Sequence, residues 1–323
     1  MRTPDRRVMM GRGNQARKRE GQMNRRTFLL GGAGAVGVIV IGAVGGGALV
    51  ESGLIPGRSV LNAAMGRCGD SLKPPEVVIG PVISGSFPSP SRNGVEVGWT
   101  VVYPPGFVPG DVLPVCLFLH GRGGSHGDLT LDMAIPRFLA DAVMAWGVSA
   151  FAIASVDGGD AANWHRRADG DDPAQMISTE FIPMLATKGL DTTRLALWGV
   201  SLGGTGALYL ATLPSFELAG VVAASPALWR EQGEWQAGAY EDADDFSANN
   251  LWNRRELLRG QNLRIDCGVS DPFAQRVRQF RDSLVPTPAG GIEPGCHDSR
   301  FWSRQTPAEL AFLGGALAAP STR

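Results

Sequence analysis

Leu195-Ala196-Leu197-Trp198-Gly199-Val200-Ser201-Leu202-Gly203-Gly204 decides the reading of this chain, because an apolar run here leads straight into Gly-x-Ser-x-Gly. A serine between two glycines at that spacing suits a sharp strand-to-helix turn, in which a Cβ on either flanking position would collide with the turn and the hydroxyl is presented outward. The spacing alone is a modest signal in a chain with 44 glycines. Context strengthens it. Asp191-Thr192-Thr193 bounds a strand-like Leu195 to Leu197, and Ala207-Leu208-Tyr209-Leu210-Ala211 reads as a buried helix after the turn.

A serine hydroxyl becomes nucleophilic only beside a base, and in this strand–turn–helix setting the partners follow in the order acid, then histidine. Of four histidines, His120, His126 and His165 precede Ser201, which leaves His297 in Gly295-Cys296-His297-Asp298. That loop lies between an expected last strand near Gly290 to Ile292 and a helix whose start is marked by Thr306-Pro307-Ala308-Glu309. For the acid, Leu263 to Cys267 reads as a strand and Asp271 follows its end. Reactive groups project from the carboxyl ends of strands in open sheets, so Asp271 is preferred over Asp266, with Glu293 and Asp298 as competitors.

Acyl chemistry also needs donors for a developing oxyanion. Val115-Cys116-Leu117-Phe118-Leu119 reads as a strand covered on both faces and ends in His120-Gly121-Arg122-Gly123-Gly124. The expected donors are the backbone N–H groups of Leu202 and Arg122, with Gly123 as the other candidate in the loop.

Together the His120 to Gly124 loop, Gly199-Val200-Ser201-Leu202-Gly203, the acid after Asp266-Cys267-Gly268, and His297-Asp298-x-x-Phe301-Trp302 resemble the esterase family of α/β-hydrolases. That family includes esterase D, feruloyl esterases and secreted mycolyltransferases, and the resemblance runs from about Val77 to Leu317. It implies a serine acyl-transfer enzyme with Ser201, Asp271 and His297 as its triad. The mycolyltransferases differ from this chain in using a glutamate as acid and in lacking the His-Gly start of the loop.

Strand-like segments at Val97 to Tyr103, Val115 to Leu119, Ala150 to Val156, Leu195 to Leu197, Gly220 to Ala224 and Leu263 to Cys267 alternate with helical stretches. The clearest helix is Ile135 to Trp146, with Phe138, Leu139, Ala142, Val143 and Trp146 on one face. Such alternation predicts a mostly parallel sheet with helices on both faces, and the family resemblance implies that this sheet is an α/β-hydrolase fold over residues 76–318. Residues 51–75 read as a linker.

Residues 1–50 read as an address rather than part of the fold. Asn24-Arg25-Arg26-Thr27-Phe28-Leu29-Leu30 is a twin-arginine pattern, and Phe28 to Val50 is uncharged with eight glycines. Both a signal for export and a membrane anchor through residues 28–50 fit, since 23 uncharged residues can span a bilayer; the start is Met1 or Met23. The first 50 residues hold nine Lys or Arg against two acids, so a chain with 30 basic and 31 acidic residues keeps a net −8 beyond them. Without a basic face there, a nucleic-acid partner is not expected.

The expected function is exported serine esterase on small-molecule esters, with acyl transfer to a sugar or lipid hydroxyl as the alternative and an inert envelope-binding protein as the remote one. Neither a cofactor nor a metal is called for. Substrate contacts are assigned to Gly123, Trp164, Trp229 and Trp302, with Trp235 beside them; Arg122 and Arg166 are candidates for an anionic group, though solvated arginines are the default reading. Among four cysteines, Cys116 is expected as a buried free thiol and Cys267–Cys296 as a disulfide tying the acid loop to the histidine loop. Cys68, preceded by Arg67, is only a weak match to a lipid-attachment site.

Overall fold

In the computed structural model, which describes residues 61–318 apart from 63, 161 and 162, the chain builds one eight-stranded sheet. In chain order the strands are β1 (Val82–Ser89), β2 (Val95–Val102), β3 (Pro114–Leu119), β4 (Ala152–Val156), β5 (Asp191–Val200), β6 (Leu218–Ala224), β7 (Leu263–Gly268) and β8 (Ile292–Glu293). They lie side by side as β1-β2-β4-β3-β5-β6-β7-β8. Strand β2 runs antiparallel to both β1 and β4, and every other neighbouring pair is parallel. This is the predicted α/β-hydrolase architecture. The edge strand β1 went unread because its exposed, Ser- and Pro-containing sequence carries little apolar alternation. The leader and anchor expected in residues 1–50 lie outside the described residues. Within the described residues, no helix is long and apolar enough to cross a membrane.

Period-two alternation in the central strands feeds two cores. Val115, Leu117 and Leu119 of β3, Leu195 and Leu197 of β5, and Val221 and Ala223 of β6 point into one. Cys116 and Phe118, Ala196 and Trp198, and Val222 and Ala224 point into the other. On the second face lie α1 (Ile135–Met144), through Ile135, Phe138, Leu139 and Ala142, and the C-terminal helix, through Leu310, Leu313 and Leu317. The first face packs against α2 (Leu202–Leu210), the helical turns of Pro173–Met176 and Ile182–Thr187, and α4 (Ala274–Asp282); α3 (Ala243–Asn249) lies in the segment after β6. The C-terminal helix, α5, spans Ser299–Ala318.

Two helix boundaries differ from expectation. Trp146 lies beyond the end of α1 and is exposed, its indole N–H donating to Asp141 Oδ2 at 2.9 Å. Helix α5 begins seven residues before Thr306, because Asp298 Oδ1 accepts the Phe301 N–H at 3.1 Å and caps the first turn there. Pro307 therefore sits inside the helix, and the preceding Thr306 hydroxyl turns back to Trp302 O at 2.9 Å.

The cysteine pairing also differs. The disulfide joins Cys68 to Cys296, while Cys267 is a buried free thiol like Cys116. Strands β7 and β8 are neighbours as expected, but the register sets Ile292 beside Cys267, leaving Cys296 beyond the paired residues. Cys267 points into the apolar core, and burial pushes its thiol well above the ordinary range. The actual bond closes a loop across 228 positions, for which chain entropy alone gives about 5 kcal/mol.

Parallel pairing brings the C-terminal ends of β3, β5, β6, β7 and β8 to one edge of the sheet. The glycines at the end of β5 make that edge possible. A Cβ on Gly203 would lie 1.9 Å from Leu119 O, and one on Gly199 2.0 Å from Gly203 O, backbone against backbone in both cases. Gly203→Ala is expected to cost about 3 kcal/mol or more, since no flexible side chain can yield. Urea unfolding of this variant should show a midpoint clearly below the parent's.

Candidate active site

Ser201 occupies the turn between β5 and α2 with φ 55° and ψ −120°, a conformation that side-chain-bearing residues rarely adopt. Its backbone is fully engaged. The N–H donates to Ala224 O at 2.9 Å, and the carbonyl accepts from Thr205 N at 3.1 Å and Ala227 N at 3.2 Å. The end of β6, the loop after it and the first turn of α2 therefore fix the residue's orientation.

His297 lies in the loop between β8 and α5. Its Nε2 is 2.8 Å from Ser201 Oγ, and its Nδ1 is 2.7 Å from Asp271 Oδ2. Asp271 follows β7 and is fully buried, its other oxygen accepting the Phe273 N–H at 2.8 Å. A buried carboxylate is tolerated only when its lone pairs are used in this way. The imidazole is packed between Phe273 and Trp302, with ring centroids 5.5 and 5.4 Å away. The competing acids are committed elsewhere. Asp266 binds the Arg264 guanidinium and the Gly291 N–H, Glu293 accepts from Gln305, and Asp298 pairs with Arg300 while capping α5.

At the oxyanion loop, the Gly123 N–H donates to Asp160 O at 2.8 Å, which removes it as a free donor. Arg122 is left by a different constraint. His120 Nε2 accepts the Gly158 N–H at 2.9 Å, so its proton resides on Nδ1 and is donated to Gly121 O at 2.8 Å. Burial lowers the His120 pKa and keeps this neutral form. In a trans peptide the N–H opposes the carbonyl, so holding Gly121 O toward His120 turns the Arg122 N–H the other way. The Leu202 N–H opens helix α2, where first-turn donors have no partner within the helix and the dipole favours negative charge.

A cavity of about 370 Å³ covers Ser201 and His297. Its walls include Met133, Val200, Ala227, Pro272, Phe273 and Trp302, with Asp128, Asp132, Gln236 and the Arg122 side chain supplying polar groups. Arg122 reaches across to Gln236 Oε1 and Ala237 O. Trp302 thus lines the cavity, whereas Gly123, Trp164 and Trp229 do not. Trp164 is buried against His120, Gly158 and Gly206, and Trp229 packs with Tyr240 and Phe273. Trp235 stacks on Phe246, and Arg166 is exposed outside the cavity. Met133, Phe273 and Gln236 were missed, since loop residues distant in sequence carry no signal of convergence.

The fold and this residue line can be set against known proteins. A model of the Esterase family, "Putative esterase", matches residues 91–284. The chain belongs to that family. This protein is an ester hydrolase. The chain is similar to a ferulic acid esterase (TM-score 0.61, 20% identity, 74% of this chain and 98% of that one). It is similar also to a fluorophosphonate-binding serine hydrolase of Staphylococcus aureus (0.62, 19%, 73% and 99%) and to an S-formylglutathione hydrolase from Agrobacterium tumefaciens (0.62, 14%, 77% and 100%). No curated protein matches.

The segment after β6 is tied to the segment after β4 by His165 Nε2, 3.0 Å from Asp245 Oδ1. Burial alone would raise the Asp245 carboxyl, but His165, the Glu241 N–H and Asn249 outweigh it and hold it at about 2. Because the folded value lies below the unfolded one, this contribution is complete above the ordinary carboxylate range and is lost as pH falls through about 2. The difference in unfolding free energy between parent and Asp245→Asn, measured by urea titration, should therefore shrink by about 1 kcal/mol or more on going from pH 6 to pH 2.

Proposed function

We propose that this ester hydrolase is an exported serine esterase that cleaves small carboxylic esters through Ser201, His297 and Asp271 and a covalent acyl-enzyme. The observation that carries the reading is the unbroken line from Ser201 Oγ through His297 to the buried Asp271, at 2.8 and 2.7 Å. In that line Ser201 Oγ attacks the ester carbonyl as His297 Nε2 takes its proton. Asp271 holds the imidazole in the tautomer with Nε2 free and stabilises the imidazolium. The Leu202 and Arg122 N–H groups receive the oxyanion. Collapse expels the alcohol, which takes the proton from His297. Water, deprotonated by the same imidazole, then attacks the acyl-enzyme and frees Ser201 and the acid.

Two observations support export. Asn24 to Leu30 carries the paired arginines ahead of a glycine-rich uncharged run, and Cys68–Cys296 is a disulfide, a bond that persists in oxidising compartments outside the cytosol. Whether residues 28–50 stay as a membrane tether is a separate question, answered by fractionating cells that express the full chain.

Ser201→Ala and His297→Ala should each remove about a millionfold of turnover, and Asp271→Asn about ten-thousandfold. A fluorophosphonate probe should label the parent and leave Ser201→Ala unmodified; equal labelling of both would remove Ser201 from its role, and no labelling of the parent would favour a binding protein. A panel of short-chain, long-chain and feruloyl esters, assayed with and without a sugar acceptor, separates hydrolysis from acyl transfer by its products.

A further inference from the structure

The segment ahead of the sheet, residues 61–72, lies far in sequence from the proposed triad, yet it reaches both loops that carry the acid and the base. Asn62, almost fully buried, donates its side-chain amide to Ser270 O at 3.1 Å, one residue before Asp271. Cys68 is bonded to Cys296, one residue before His297. The Ser270 N–H donates to Gly295 O at 2.9 Å, so the acid loop and the histidine loop are also tied to each other. These links form a closed ring from Asn62 through Ser270, Gly295 and Cys296 back to Cys68. Arg304 of α5 fastens it from outside, donating to Cys68 O, Pro294 O and Asp70 O, and Leu72 N–H donates to Ser303 Oγ at 3.0 Å.

The sheet explains why such a ring is needed. Ser201 is fixed by the end of a ten-residue strand with neighbours on both sides. His297 instead follows β8, a two-residue strand at the sheet's edge paired with β7 alone. Backbone pairing therefore gives the base far less support than the nucleophile.

We propose that Asn62 and the Cys68–Cys296 disulfide are positioning elements that hold Asp271 and His297 in register with Ser201, so that turnover requires the disulfide to be closed. The proposal rests on the triad reading above. Closure is thiol–disulfide exchange with an external small-molecule disulfide: the two cysteine thiols lose two electrons and two protons, and the external disulfide gains them as two thiols. An enzyme held in reducing surroundings would be folded but slow, and export would switch it on.

The test uses the full chain and p-nitrophenyl acetate as probe, with kcat and KM measured separately. The forms compared are the oxidised parent, the parent reduced with dithiothreitol, the same sample reoxidised with oxidised glutathione, Cys68→Ser/Cys296→Ser, and Asn62→Leu, which keeps the side chain's shape without its donor. Reduction and each variant should lower kcat about a hundredfold with KM within a factor of two, because a misplacement of about 1 Å at the base has that effect. Reoxidation should restore the parent and leave the cysteine variant unchanged. Retention of kcat within twofold in the reduced parent and in the folded variants overturns the proposal, as does a loss shared equally with KM. Should the cysteine variant fail to fold, Asn62→Leu decides by the same criteria. Ser201→Ala, run alongside, must be inert; activity there would sink the triad reading itself and is seen independently of the brace.

Discussion

The turn at Ser201 is the constraint on which the rest of the site depends. A residue held at φ 55° costs about 1–3 kcal/mol, and it persists only where its surroundings leave no alternative. Here they leave none: the Ser201 backbone is bonded to Ala224, Thr205 and Ala227, and Gly199 and Gly203 admit carbonyls where side chains would stand. Largely buried strands on both sides of β5 supply the free energy that sustains the strain. One consequence is geometric coupling, since the same turn that aims the hydroxyl also sets the first N–H groups of α2. In the proposed mechanism, nucleophile and oxyanion donor therefore share one rigid support.

Much of this was legible in the chain. Four of the strands at this edge, β3, β5, β6 and β7, contain the predicted apolar runs, and the structure brings together Ser201, Asp271 and His297, which chain order and position after a strand had singled out. Chain order works because parallel β5, β6, β7 and β8 lie side by side in sequence order, so successive strand ends meet at one edge. The acid could be chosen over its rivals for the same reason, as Asp266 lies inside β7 and is neutralised there by Arg264.

Other features were not legible, each for a physical reason. The disulfide depends on side-chain direction, and Cys267 faces inward at a position where register alone sets Ile292 opposite. Asn62 and Cys68 lie in a stretch with no periodicity, and 208 residues separate Asn62 from its acceptor. Cap strength decided α5: Thr306-Pro307-Ala308-Glu309 has the pattern of a helix start, but Asp298 caps earlier, and the cost of an interior proline, about 3 kcal/mol, is offset by burial of Phe301, Leu310, Leu313 and Leu317 on the same helix. The choice between Arg122 and Gly123 turned on a carbonyl, Asp160 O, that no sequence pattern places.

The tryptophans illustrate how aromatic weighting can mislead about substrate contacts while still bearing on catalysis. Trp229, Trp235, Tyr240 and Phe246 form a separate apolar cluster whose remaining members include Leu202 and Ala227, on either side of the Ser201 hydrogen bonds. Their burial does not line a groove. They pack around the Leu202 side chain, beside the N–H that opens α2. Selectivity then falls to the residues that do face the cavity: Met133, Phe273 and Trp302 as apolar walls, and Gln236 with Asp132 as polar ones. Because Phe273 and Trp302 also flank the His297 ring, exchanging them to alter substrate fit would loosen the base at the same time. Met133 makes no hydrogen bond or ring contact with His297 or Ser201 among the described residues, so substrate preference can vary there without disturbing the proposed triad, whereas Gln236 holds the Arg122 side chain.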